Sequence, residues 1–125
     1  MQSPARILYV EDNPDTVELV SLVLRQNGFE VVTVSNPEEA IQLAQTERFD
    51  LYILDNWLDG MSGIEVCTRL RQFDSATPIL FFSAAAYEQD RKNALGCGAQ
   101  AYLVKPASPE LLITEVHRLL AATQI

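Results

Sequence analysis

At 125 residues, with 48% hydrophobic residues, the chain has the length of one compact domain and enough apolar material for a buried core. Its formal charge of -8 and its lack of any basic cluster oppose direct binding to a nucleic-acid backbone, whose affinity rests largely on Lys and Arg displacing counterions, so any effect on DNA is expected to be indirect. The N-terminus lacks the apolar core of a signal peptide, and no apolar run approaches the roughly 18 to 20 residues needed to span a bilayer, so a cytoplasmic protein without a membrane partner is expected.

Short apolar runs alternate with amphipathic stretches along the chain. Arg6 to Val10 reads as a strand, and Pro14 to Asn27 as a helix that stops before Gly28. Glu30 to Val34 is a β-branched strand. Asn36-Pro37-Glu38-Glu39 then supplies an N-cap, a first-turn proline and two acids suited to the helix dipole, opening a helix that runs to about Thr46. Asp50 to Leu54 is continuously apolar after its first residue, as a strand covered on both faces should be. Asp59-Gly60 marks a turn before a helix carrying Ile64, Cys67 and Leu70. Pro78 to Phe82 and Gln100 to Val104 are two further strands, separated by a weaker helix around Asp90 to Leu95. Pro109 to Ala122 is a clear final helix, capped by Ser108.

This alternation with short loops predicts an α/β fold: a parallel sheet with helices on both faces, joined by right-handed crossovers. No repeat, linker or low-complexity segment interrupts it. Residues 1–125 are therefore expected to form a single domain, with no output domain in this chain. Cys67 and Cys97 stand far apart in sequence, in apolar or Gly-rich surroundings and without CxxC or metal spacing; reduced core thiols are expected.

Ligands of such sheets bind beyond the carboxyl ends of the strands, so the residues that follow each apolar run should share one site. Those residues are Glu11 and Asp12, then Asp55, Ser83 and Lys105. Like charges about 4 Å apart repel by about 4 kcal/mol at an effective dielectric near 20, so three adjacent carboxylates imply a cation. Mg²⁺ suits oxygen donors, needs few carboxylates and leaves positions for a phosphoryl oxygen, whereas Zn²⁺ would want His or Cys. A carboxylate can itself attack phosphorus, with a cation, an ammonium and a hydroxyl sharing the charge on the transferring oxygens, and Asp55 is placed for that role.

The order Glu11-Asp12, Asp55, Ser83 and Lys105-Pro106 resembles the receiver domain of two-component response regulators over essentially the whole chain. The resemblance implies a flavodoxin-like, doubly wound, five-stranded parallel sheet of order 2-1-3-4-5. It also implies that Glu11, Asp12, Asp55 and the backbone carbonyl of Trp57 hold Mg²⁺, with Mn²⁺ as a substitute, and that Asp55 is the phosphoacceptor. Ser83 would be the switching hydroxyl, Ala84 a backbone donor to the phosphoryl group, Lys105 its cationic partner and Tyr102 the switch aromatic. The Lys105-Pro106 peptide bond would be cis. Implied partners are a histidine kinase or histidine phosphotransfer protein, a downstream protein target, and a second copy of the chain on phosphorylation. The protein would catalyse only its own phosphorylation and dephosphorylation. Two departures stand out. Asp59 occupies a position where the family usually has proline, which is expected to loosen the loop after Asp55. Trp57 is bulky at a position that, together with Ala85, influences phosphoryl turnover.

Each residue also has a plainer reading. Asp12 could cap the helix opened by Asn13-Pro14, Asp55 could be a loop acid, Ser83 a capping hydroxyl, Lys105 a solvated strand end and Tyr102 core packing. His117, between Glu115 and Arg118 on the last helix, reads as part of a solvated face and is given no role. Three rival functions remain. A Mg²⁺-dependent phosphatase of the haloacid-dehalogenase type would want a second Asp where Trp57 stands. A flavin or nucleotide module would want glycines where Glu11-Asp12-Asn13-Pro14-Asp15 stands. A docking receiver that is never phosphorylated would have little use for the full set of acids, hydroxyl and lysine.

Overall fold

The computed structural model describes residues 3–122, and its elements alternate strictly. They are β1 (Arg6–Val10), α1 (Pro14–Gln26), β2 (Glu30–Val34), α2 (Pro37–Thr46), β3 (Leu51–Leu54), α3 (Gly63–Arg71), β4 (Ile79–Ser83), α4 (Glu88–Gly96), β5 (Ala101–Val104) and α5 (Pro109–Ala122). All strand pairs are parallel and the sheet order is β2-β1-β3-β4-β5, the flavodoxin-like arrangement expected from the sequence.

Polar residues at the loop ends start the helices. Asn13 Oδ1 accepts the Asp15 and Thr16 amides at 3.0 and 3.1 Å, and Asn36 Oδ1 accepts the Glu39 amide at 3.1 Å. Ser62 Oγ accepts the Glu65 amide at 3.2 Å, and Ser108 Oγ the Leu111 amide at 3.1 Å. Since Asn13 caps α1, the capping alternative for Asp12 is not the one adopted.

The strands divide their side chains between two cores, as a period of two requires. Ile7, Tyr9, Ile53, Leu80 and Phe82 pack with Leu24, Val116 and Leu119 of α1 and α5. Leu8, Val10, Tyr52, Leu54 and Phe81 pack with Ile41, Val66, Leu70 and Ala94 of α2, α3 and α4. Leu51 to Leu54 are all buried, as the central position of β3 demands. Strand β4 begins one residue later than expected and includes Ser83. Pro78 has no amide hydrogen to give, yet its carbonyl accepts the Tyr52 amide at 3.0 Å. Helix α4 is the weakest amphipath, with Ala94 its one buried residue.

Candidate functional site

The strand ladder itself carries the polar residues to a common edge. Past the ends of the strands, the Glu11 amide still donates to the Val34 carbonyl at 3.1 Å, Asp55 to Val10 at 3.3 Å and Lys105 to Ser83 at 2.9 Å. Glu11, Asp55 and Ser83 are buried there, and Asp12 and Lys105 are half-buried.

Lys105 organises the cluster. Its Nζ lies 3.1 Å from Asp55 Oδ2, donates to Glu11 Oε1 as well, and sits 5.6 Å from the centre of the Phe82 ring. Burial works to lower the Lys105 pKa, but hydrogen bonds and charge from Glu11 and Asp55 outweigh it and hold the ammonium above its usual value. For Glu11 the balance is reversed. Burial and the nearby Asp55 push its carboxyl above the usual carboxylate range, while Lys105 and the Asn13 amide pull the other way. Lys105 thus supplies one positive charge against three carboxylates, which offsets part of their repulsion and leaves net negative charge for a cation to balance.

The other bonds orient the acids. Glu11 Oε2 accepts the Asn13 amide at 3.3 Å and Glu11 Oε1 accepts the Tyr9 hydroxyl at 3.4 Å. Asp55 Oδ1 accepts the Trp57 amide at 3.1 Å, and Asp12 Oδ2 accepts the Asp59 amide at 3.1 Å. That last bond corrects the expectation of a looser loop, because a proline at position 59 would have no N–H to give, whereas Asp59 ties the loop to Asp12. Gly63 holds the other end of the loop. Its amide donates to the Asn56 carbonyl at 3.1 Å, and a Cβ there would overlap the Asp55 carbonyl oxygen.

Ser83 and Tyr102 meet through Ala85. Ser83 Oγ accepts the Ala85 amide at 3.2 Å, and the Ala85 carbonyl accepts the Tyr102 hydroxyl at 2.6 Å. The Tyr102 ring stacks on Phe81 with centroids 5.8 Å apart and an interplanar angle of 10°. Ala84 is exposed and Ala85 buried, while Trp57 leaves 63% of its surface in solvent. The Lys105-Pro106 bond is cis. His117 is exposed beside Phe29 and away from the cluster.

The donors suit a hard cation by their chemistry. Lys105 lies between Glu11 and Asp55, and Asp12 turns to the Asp59 amide; among the described residues no three acid, His or Cys side chains form a ready-made cage. Mg²⁺ does not need one, since it is commonly held by one or two carboxylates and otherwise by water and phosphoryl oxygens. Asp12 and Asp55 meet that requirement with oxygen donors alone.

Neither Tyr9, one residue of the apolar run Arg6 to Val10, nor the meeting of Cys67 with Cys97 was among the expected features of the chain. A signal for Tyr9 existed: it precedes Glu11 by two residues and so shares its face of the strand. For the cysteines none did, because their encounter joins α3 to the end of α4. Both thiols are free, as expected, but Cys97 is only partly buried and is not a core residue.

A parallel sheet of this order, with an acid pair, a further aspartate, a serine and a lysine along one edge, defines the receiver class of signalling domain. The chain belongs to that family, since the family model described as "Response regulator receiver domain" matches residues 7–117. It is 39% identical over 96% of its length to the alkaline phosphatase synthesis transcriptional regulatory protein PhoP of Bacillus subtilis, of which it covers 50%. The chain thus spans about half the length of the curated relatives it matches. A CheY-like receiver domain protein from Methanospirillum hungatei superposes with a TM-score of 0.93 over 98% of both chains, at 24% identity, a likeness of fold. The receiver domain of the sensor histidine kinase PA1611 from Pseudomonas aeruginosa, solved with a magnesium ion coordinated in its active-site cleft, superposes at 0.88 with 29% identity, over 94% of this chain and 98% of that one. Receiver domains are switches of two-component signalling rather than classical enzymes. Among the described residues no helix is long and apolar enough to cross a membrane.

Proposed function

We propose that this protein is a phosphorylation switch that accepts a phosphoryl group on Asp55 from a histidine kinase or histidine phosphotransfer protein. The observation that carries this reading is the Lys105 ammonium 3.1 Å from Asp55 Oδ2 at the carboxyl edge of the sheet, with Glu11 and Asp12 beside it. In the transfer, an Asp55 oxygen attacks phosphorus in line with the P–N bond of a phosphohistidine. That bond breaks and the imidazole keeps its electron pair. Lys105 then shares its charge between Glu11 and a phosphoryl oxygen, while the Ser83 hydroxyl and the Ala84 amide donate to the others. Glu11, Asp12, Asp55 and the Trp57 carbonyl would hold Mg²⁺, or Mn²⁺ in its place, which when bound supplies charge stabilisation to the transferring oxygens. The magnesium seen in the PA1611 receiver supports this reading. Trp57, which leaves 63% of its surface in solvent, stands at the position that by the family resemblance influences phosphoryl turnover, and hydrolysis by water resets the switch.

Readout runs from Ser83 through Ala85 to Tyr102. Drawing Ser83 towards a phosphoryl oxygen disturbs its bond with the Ala85 amide, and the Ala85 carbonyl is the acceptor of the Tyr102 hydroxyl. Complete conversion between two states takes about 5.5 kcal/mol of differential stabilisation, which several charge-assisted bonds to one phosphoryl group can supply. The surface of α4, β5 and α5 would then meet a downstream protein or a second copy of the chain.

Phosphoramidate, a small P–N donor, tests the transfer by phosphorus-31 NMR. A protein-bound resonance that needs Mg²⁺ and disappears in Asp55→Asn is expected. Its absence from folded protein with Mg²⁺ present would favour a docking role without phosphorylation.

A further inference from the structure

On the side of the sheet covered by α3 and α4, away from the phosphoryl chemistry, the two cysteines meet. Cys67, in the middle of α3, is fully buried, whereas Cys97, the C-cap of α4, is partly exposed. Cys67 Sγ lies 3.5 Å from the Cys97 carbonyl oxygen and Cys97 Sγ lies 3.1 Å from that of Ala94, so the two side chains converge where α3 meets the end of α4. Arg71, one turn beyond Cys67, places Nε and Nη2 at 3.0 and 2.9 Å from the Gly98 carbonyl oxygen, which brings a guanidinium beside the pair. Cys97 faces a solvent-open hollow shared with Thr68, Arg71, Lys92 and Asn93, wide enough to admit a small oxidant.

The two thiols differ in character. The neighbouring Cys97 side chain, together with burial, pushes the Cys67 thiol well above its usual value. Cys67 in turn holds the Cys97 thiol below its own usual value, and Arg71 acts in the same direction. One accessible sulfur is thus disposed to be the nucleophile, and one sheltered sulfur stands against it.

We propose that Cys97 and Cys67 form a reversible intramolecular disulfide driven by hydrogen peroxide or a related hydroperoxide, tying α3 to the end of α4. The Cys97 thiolate attacks one peroxide oxygen, so that an S–O bond forms and the O–O bond breaks. The departing hydroxide takes up the thiol proton as water and leaves a sulfenic acid. Cys67 sulfur then attacks Cys97 sulfur. The S–S bond forms, the S–O bond breaks, and the hydroxyl leaves with the Cys67 proton as a second water. The thiols together lose two electrons and two protons, and the peroxide is reduced to two waters. The bond would fasten a helix that buries only Ala94, directly before Gly98 leads the chain into β5 and Tyr102.

The test treats the reduced full chain with a small excess of hydrogen peroxide, followed by intact-mass analysis, peptide mapping and amide exchange. The expected product is a monomer lighter by two hydrogens, with a Cys67–Cys97 crosslinked peptide, slower exchange in α4 and full reversal by dithiothreitol. Cys97→Ser should abolish the mass loss and leave Cys67 unreacted. Cys67→Ala should instead leave Cys97 as a sulfenic acid that dimedone traps, so one informative variant remains if the other fails to fold. Disulfide-linked dimers, over-oxidation without the crosslink, or oxidation of Cys67 in Cys97→Ser would overturn the proposal.

Discussion

At the scale of single residues, the site depends on placing like charges together and then offsetting them. Lys105 does the offsetting through two acids at once, and Glu11 is further held by the Asn13 amide and the Tyr9 hydroxyl. Asp55 is set by a different constraint, the closeness of Gly63 to its carbonyl oxygen. Gly63→Ala should therefore force the backbone after β3 apart and destabilise the fold by about 3 kcal/mol, read as a lower urea midpoint. At Gly60 a Cβ would touch nothing, but φ is +86°, so Gly60→Ala should cost only about 1 kcal/mol. Equal losses at the two glycines would contradict the close-approach account.

At the scale of elements, caps and turns do most of the positioning, and they were the most legible part of the chain. Asn13-Pro14, Asn36-Pro37 and Ser108-Pro109 each announced a helix start that the structure contains. The turn between α3 and β4 was less visible, because it depends on Asp74 meeting residues on both sides. Asp74 Oδ1 accepts the Ala76 and Thr77 amides at 3.1 and 3.0 Å, and Oδ2 accepts the Tyr52 hydroxyl at 2.8 Å. Burial opposes ionisation of this carboxyl, but the bonds from Thr77, Tyr52 and Ala76 outweigh it and lower its pKa from 3.8 to about 2. A depressed folded-state pKa gives stability that is fully present above the unfolded value and is lost as pH falls through the folded one. The Asp74 contribution should thus fade between about pH 4 and about pH 2. Discounted for its partial exposure, it is about 1 kcal/mol. Asp74→Asn should be less stable at neutral pH and flatter across that acid window in urea titrations. Parallel stability curves for the two proteins would count against this role.

At the scale of the whole molecule, the order of the strands converts a scattered set of residues into a site. Alternating periodicity foretold a parallel α/β sheet, and the rule that ligands bind beyond the carboxyl ends of its strands singled out Glu11, Asp12, Asp55, Ser83 and Lys105 from the sequence. Contacts made by side chains across that edge were not legible. Lys105 could be placed at the site but not between Glu11 and Asp55, since its reach depends on how far each strand projects. Asp59 appeared as a departure from a family pattern, and only the fold showed its amide tied to Asp12. The cysteine pair was hidden for the same reason: periodicity locates a residue on its own helix and says nothing of the neighbouring helix end.

The central claim, that this edge is a phosphoacceptor, is tested most directly by intact-mass analysis after incubation with Mg²⁺ and acetyl phosphate. Unmodified protein, Asp55→Ala and a metal-free control would be run together. The account predicts one phosphoryl adduct on the unmodified chain and none on either control. An adduct that persists in Asp55→Ala, or none on folded unmodified protein with Mg²⁺ present, would contradict it.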